Sequence, residues 1–331
     1  MNSQSLLFQL EPEEKLREAA GRYLGEQLMK AELLSGGLFN TTYRLTTCQR
    51  TAILRLGPVN RRLLLPYERN LMAAERDVLK LLKRHGIPTS EVIALDLTRS
   101  LFDRDVMVVD CLEAVSMSMT ELSKEEEHRL CREAGALTAR IHDITATELP
   151  VKPEKPFGRY SNVQAGVGCA TWEEAILLEL RQWKNLAEDA DLFSMEELGR
   201  IESVFLRFRA LFREITEPRL VHADLWYGNI LVDKAKKLAA IIDTDRAFFG
   251  DPDFEMATGW MISDSFLEGY GRRLDMSEDA VMRRRLYKLL LNLEDCYILF
   301  CEYNNPSEGA SLRNRILEEI RRLETINSVE T

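Results

Sequence analysis

The sequence contains no run of about 18 apolar residues, the length a membrane-spanning helix needs, so no membrane partner is expected. Its first residues, Met1 to Phe8, lack the basic segment and long apolar core of a secretory signal, and a cytoplasmic protein is expected. Basic residues are not in excess: 44 Lys and Arg stand against 54 Asp and Glu, a net charge of −10. That balance argues against general nucleic-acid binding, which needs a basic face, and mildly favours a cationic small-molecule partner. The six cysteines (Cys48, Cys111, Cys131, Cys169, Cys296 and Cys301) include no C-x-x-C pair. They read as reduced thiols, not as a zinc site or a disulfide frame. No internal repeat, low-complexity segment or G-x-G-x-x-G loop is present. What remains is an ordinary globular composition, 45% apolar, over 331 residues, a length that suits a two-lobed unit.

Two polar clusters set among β-formers stand out. The first lies within Val221 to Asp233 and the second within Ala240 to Asp245. Leu220-Val221, Ile230-Leu231-Val232 and Leu238 to Ile242 read as short strands, and Asp233 to Lys237 as the turn joining two of them. Asp224 and Asn229 then share one loop, and Asp243 ends a neighbouring strand. Oxygen ligands of this kind suit Mg²⁺ held with phosphate oxygens and water. Asn229 and Asp243 are the candidate metal ligands. Asp224 is the candidate catalytic residue, placed to accept a proton from an attacking hydroxyl. The spacing of His222, Asp224 and Asn229 follows the phosphoryl-transfer loop H-R-D-x-x-x-x-N, and Asp243 takes the place of the D-F-G aspartate.

With His222-Ala-Asp-Leu-Trp-Tyr-Gly-Asn-Ile-Leu231, Ile241-Ile-Asp-Thr-Asp245 and Gly250-Asp-Pro-Asp-Phe-Glu-Met-Ala257, the chain resembles the aminoglycoside phosphotransferase and choline kinase superfamily. Ala223 stands where that pattern has Gly, and Glu255 where it has its last Asp. The resemblance implies an α+β, protein-kinase-like two-lobed fold. A small antiparallel-sheet lobe over 1–110 would bind nucleotide, and a larger, mainly helical lobe over 111–331 would carry catalysis and the acceptor. It further implies ATP and Mg²⁺ as cofactors, with GTP not distinguished, and a small-molecule substrate. Oligomeric state is left open.

The same resemblance assigns the nucleotide contacts. The Gly36–Gly37 turn would cover the phosphates, and Arg55 would replace the usual phosphate-binding Lys. Glu75 would pair with Arg55, with Glu68 as its rival. The segment around Asp110 and Leu112 would be the hinge that meets the base through backbone groups. His142 and Asp251 are expected to be structural.

Periodicity and punctuation supply the remaining elements. A helix is expected over 12–30, then two strands within 33–57 with the glycine pair in the first turn. A helix over 67–82 stops at Gly86 and Pro88, and strands follow at 91–96 and 106–110. Capping boxes at Ser123/Glu126, Thr171/Glu174 and Ser194/Glu197 start helices running to about His142, Leu186 and Phe212. Ser277 starts another, to about Phe300, and 311–324 forms the last. Residues 144–170 read as an irregular insertion. Glu294, Asp295 and Glu302 are candidates for a pocket that takes cationic groups.

The leading functional expectation is transfer of the γ-phosphate to a hydroxyl of an aminoglycoside-like molecule, an amino alcohol or a sugar-amine. The alternative is a nucleotide-binding pseudokinase or regulatory scaffold, for which only Arg55 leaves room. A protein kinase is disfavoured, because no A-P-E motif or activation loop fits between Asp243 and Gly250.

Overall fold

The structure is a computed structural model, described here for residues 5–34, 38–259 and 261–326. Helix α1 (Glu13–Leu24) is shorter than expected. Gly25 adopts the left-handed conformation, φ 71°; its N–H returns to the Gly21 carbonyl and the Glu26 N–H to that of Ala20. Glycine closes a helix this way without a Cβ penalty, so the residues after it are free to form β1 (Leu28–Leu33). Strands β2 (Thr41–Thr47) and β3 (Thr51–Leu56) follow, then α2 (Leu71–Arg84), β4 (Val92–Asp96) and β5 (Val106–Asp110). The five strands form one antiparallel sheet in the order β1-β2-β3-β5-β4. Between β1 and β2, residues 35–37, which include Gly36 and Gly37, lie outside the described residues.

Alternation along β3 decides where Arg55 points. Ala52, Leu54 and Leu56 are fully buried on the face that packs on Leu16 and Ala19 of α1. Ile53 and Arg55 take the opposite face, where Met72 of α2 packs on Met107 and Val109. Glu75 lies one turn after Met72, so the packing of α2 aims it at the same face as Arg55.

Beyond Asp110 the chain becomes mainly helical. Its elements are β6 (Ala114–Ser116), α3 (Lys124–Ile141), β7 (Gly158–Arg159), α4 (Tyr160–Gln164), α5 (Trp172–Asp189), α6 (Met195–Arg207) and α7 (Ala210–Arg213). After these come β8 (Arg219–Val221), β9 (Ile230–Asp233), β10 (Leu238–Ile241), β11 (Phe248–Gly250), α8 (Asp253–Thr258), α9 (Asp264–Tyr270), α10 (Glu278–Tyr297) and α11 (Pro306–Glu324). The expected capping boxes are formed at Ser123, Thr171 and Ser194. The helix from Ser194 breaks after Arg207 and resumes as α7. A π-helical turn, Ile298–Glu302, extends α10.

Residues 144–170 differ from the expected irregular insertion. Strand β7 joins β8 and β11 in a three-stranded sheet. Its Arg159, 5% exposed, donates to Glu294 at 2.7 Å and to Glu179 at 3.2 Å, and lies over the Tyr67 ring. Buried charges have to be paired in this way. Polarity along the sequence therefore concealed an interior hub.

Candidate active site

Strands β9 and β10 form an antiparallel hairpin around the Asp233–Lys237 turn, with Ile241 opposite Ile230. The hairpin brings the two ends of the polar clusters together. The loop before β9 closes on itself: Asn229 N–H donates to Trp226 O at 2.9 Å, and Ile242 N–H donates to Asn229 O at 3.0 Å. Asn229 Nδ2 donates to the Asp224 carbonyl at 2.8 Å and to Asp224 Oδ2 at 3.0 Å. Its Oδ1 makes no hydrogen bond among the described residues. Gly228 permits this loop, because a Cβ there would come within 2.2 Å of the Trp226 ring.

His222, 1% exposed, braces the loop from behind. Its Nδ1 accepts from Asp224 N–H at 3.3 Å, which leaves Nε2 as the donor to Ile242 O at 3.0 Å. Ala223 has φ 67°, a left-handed conformation that explains why the resembling pattern has Gly there. Glu255 Oε2 holds the strained peptide, accepting from His222 N–H at 2.9 Å and from Ala223 N–H at 3.2 Å. Burial raises the Glu255 pKa, but the neighbouring His142 and His222 outweigh it and hold the carboxyl below its usual range. Asp251 instead accepts from Arg283 Nε at 3.1 Å and Tyr287 OH at 2.8 Å, organising the start of α8. His142 is fully buried and bonded to Tyr270 OH at 2.8 Å.

Arg55 crosses from β3 to the hairpin. One guanidinium nitrogen pairs with Glu75 and the other donates to Asp243 Oδ1 at 3.0 Å. Glu75 therefore makes this contact; the rival Glu68 is spent on Leu65 N–H and faces Glu302. Carboxylate oxygens of Glu75, Asp243 and Asp245 lie within 4.8 Å of one another. Burial raises the pKa of Glu75 and of Asp245, opposed by Arg55 in both cases and reinforced by Asp243. Three carboxylates share one guanidinium, and a hard divalent cation would offset the surplus charge. The uncommitted Asn229 Oδ1 and the Asp243 carboxylate are oxygen donors of the kind Mg²⁺ takes.

Asp224 opens on a cavity of about 540 Å³, lined also by Trp226, Tyr227, Arg246, Asp295 and Tyr303. Burial pushes the Asp224 carboxyl up to about 7, with Arg246 opposing and Asp243 adding to the shift. Of the three acidic residues expected around a cationic pocket, Asp295 lines this cavity. Glu294 and Glu302 are interior, 2% and 0% exposed, the first paired with Arg159 and the second packed against Glu68. Arg246, 3.8 Å from Asp295, was not anticipated; its only signal is a cation set between Asp245 and the apolar run Ala247-Phe248-Phe249. Asp110 ends β5 and Leu112 lies on the link to β6; neither lines this cavity, and Asp110 Oδ1 accepts from Glu91 N–H at 2.5 Å.

Residues 30–287 match the profile of APH, the phosphotransferase enzyme family. The chain belongs to that family. Ketosamine-3-kinase of Mus musculus is 31% identical over 98 residues, which cover 28% of this chain and 31% of the mouse protein. The matched segment is thus about a third of that relative's length. Among solved structures, aminoglycoside phosphotransferase APH(4)-Ia in complex with AMP-PNP and hygromycin B superposes with a TM-score of 0.69 at 17% identity, over 95% of this chain and 100% of that one. A fructosamine-3-kinase homologue from Haemophilus somnus 129PT gives 0.62 at 14%, over 92% and 96%. APH(2")-IIa bound to streptomycin and ATP gives 0.64 at 15%, over 94% and 99%. At these identities the structural likeness shows the shared two-region fold, an antiparallel sheet followed by a helical part.

Proposed function

We propose that the protein transfers the γ-phosphoryl group of ATP, with Mg²⁺, to a hydroxyl of a small molecule. The observation that carries this reading is the meeting of Asp224, Asn229 and Asp243 beside the Arg55–Glu75 pair. The acceptor hydroxyl enters the cavity next to Asp224. Its proton passes to the Asp224 carboxylate as its oxygen bonds to the γ-phosphorus. The bond from that phosphorus to the bridging oxygen breaks, and ADP leaves. Bound Mg²⁺, held by Asn229 and Asp243, supplies charge neutralisation at the phosphate oxygens. Arg55, oriented by Glu75, offers the phosphates the N–H donors that Glu75 and Asp243 do not take. Most of the rate enhancement comes from positioning and electrostatics, as is general for this reaction.

ATP as donor is supported by the AMP-PNP and ATP complexes of the structural neighbours. The acceptor classes we propose are aminoglycoside-like molecules, amino alcohols and sugar-amines, the last supported by the ketosamine kinase relative. Asp295 and the rings of Trp226, Tyr227 and Tyr303 suit a cationic acceptor, through charge and cation–π attraction. The cytoplasm is the proposed location, in keeping with six cysteines that are all unpaired.

The test is a coupled ADP-release screen over aminoglycosides, amino alcohols, fructosamines and nucleosides. ADP release with at least one class, lost in Asp224→Ala, supports the reading. Tight nucleotide binding with no release for any acceptor favours the pseudokinase alternative.

A further inference from the structure

A second cavity, of about 580 Å³, lies between α2 and α4. Asp77, Lys80, Lys83 and Arg84 of α2 line one side, and Pro150, Tyr160 and Gln164 the other. In a chain of net charge −10, this lining carries three cations and one carboxylate. The carboxylate is already engaged: Asp77 accepts from Arg76 at 2.7 and 2.9 Å and from Gln164 Nε2. Lys83 reaches Glu91 at 2.7 Å, but the two side chains are 58% and 65% exposed, and such pairs contribute little. Lys80 and Arg84 stand one turn apart and make no ion pair or hydrogen bond among the described residues. Tyr160 is buried against Phe249, with ring centroids 5.7 Å apart, and its hydroxyl likewise makes no hydrogen bond.

Lys80, Arg84 and the Tyr160 hydroxyl thus converge on this cavity without an acceptor, and Lys83 adds a third cation held only by an exposed pair. We infer that it binds a phosphate-bearing anion, held by Lys80, Lys83 and Arg84 with the Tyr160 hydroxyl as a neutral donor. Ammonium groups act as point charges on phosphate, and guanidinium adds a two-pronged fork. A phosphoryl group has enough charge and enough acceptor oxygens for all four, whereas one carboxylate saturates the fork alone. The bound anion would tie α2, which carries Glu75, to the region around α4. It would therefore stabilise the fold by mass action.

Calorimetry on the full chain tests this, with saturating AMP-PNP and Mg²⁺ present throughout. Inorganic pyrophosphate and glucose 6-phosphate are titrated separately, to tell a bare phosphate from a phosphorylated metabolite. Wild-type protein should bind at least one of them and gain thermal stability as its concentration rises. Lys80→Glu/Arg84→Glu, at two exposed positions, should weaken binding by about tenfold or more and abolish the thermal gain. Lys124→Glu/Arg315→Glu makes the same charge change elsewhere and should leave both intact. No binding by wild type, equal binding by the α2 double variant, or equal weakening by the control would each overturn the inference.

Discussion

The guanidinium of Arg55 donates to Asp243 Oδ1 at 3.0 Å, joining residues 188 positions apart in the chain. One strand of the five-stranded sheet is thereby fastened to the loop after β10. The other guanidinium nitrogen holds Glu75, whose side chain is 2% exposed. Arginine suits this place because its fork serves two carboxylates at once.

Removing that fork should cost stability and nucleotide affinity together. In Arg55→Met, Glu75 loses its partner; burial already raises its pKa, so it takes up a proton instead of staying charged. The cost is then that of an unsatisfied buried polar group, about 1–3 kcal/mol in urea unfolding. Arg55→Lys keeps the charge and should lie between wild type and Arg55→Met in both stability and ATP affinity. A lysine variant as weak as methionine in both measurements would contradict this account of the fork.

Asp224→Asn should lower kcat by about 10²–10⁴-fold, the range for a lost general base. Because burial pushes the wild-type carboxyl up to about 7, kcat/KM should rise with pH to a plateau above that value, as the proton-accepting form appears.

The same shift predicts a stability change of opposite direction. The folded value, about 7, exceeds the ordinary 3.8, so between these values the unfolded chain releases a proton that the folded one keeps. Asp224 thus costs nothing below that window, and its penalty grows as pH rises through it. Asp224→Asn removes the penalty, and its thermal midpoint should match or exceed wild type at pH 8. A clearly lower midpoint would mean that Asp224 has a structural role.

Asp243→Ala should erase the part of nucleotide affinity that depends on Mg²⁺ while leaving a weak metal-free component. Paired calorimetric titrations of ATP with Mg²⁺ and with EDTA read the difference directly. An unchanged Mg·ATP affinity would count against Asp243 as a ligand.

Glu255→Ala should leave the N–H groups of His222 and Ala223 without an acceptor, at a cost of about 1.5–3 kcal/mol. The loop then loses its left-handed turn at Ala223, and displacement of Asp224 should lower kcat by about 10²-fold. Glu255→Gln keeps an oxygen in place and should recover most of both. Adding Ala223→Gly to Glu255→Ala should restore part of the stability, because glycine takes φ 67° without strain.

Much of the catalytic loop could be read from the chain because its geometry is local. Asp224, Asn229 and Asp243 lie within 20 residues, and hairpin pairing between β9 and β10 is enough to bring them together. Capping boxes were readable for the same reason, since each joins residues three apart. The end of α1 is local too, but the apolar spacing runs on past it, and only the left-handed turn at Gly25 stops the helix there.

The sequence by itself therefore determined the loop that would meet phosphate, through short-range hydrogen bonds that need no distant partner. Only the tertiary structure decided the rest of the site. Arg246 reaches the Asp224 cavity from the loop after β10, Asp295 from α10 and Tyr303 from just beyond its π-helical extension. Packing also chose Glu75 over Glu68, buried Glu294 and Glu302, and placed Arg159 in the interior. A charged side chain looks the same in a sequence whether it meets water, a ligand or a buried partner. Which of these it meets depends on segments far away in the chain, and their approach is set by the burial of apolar faces as a whole.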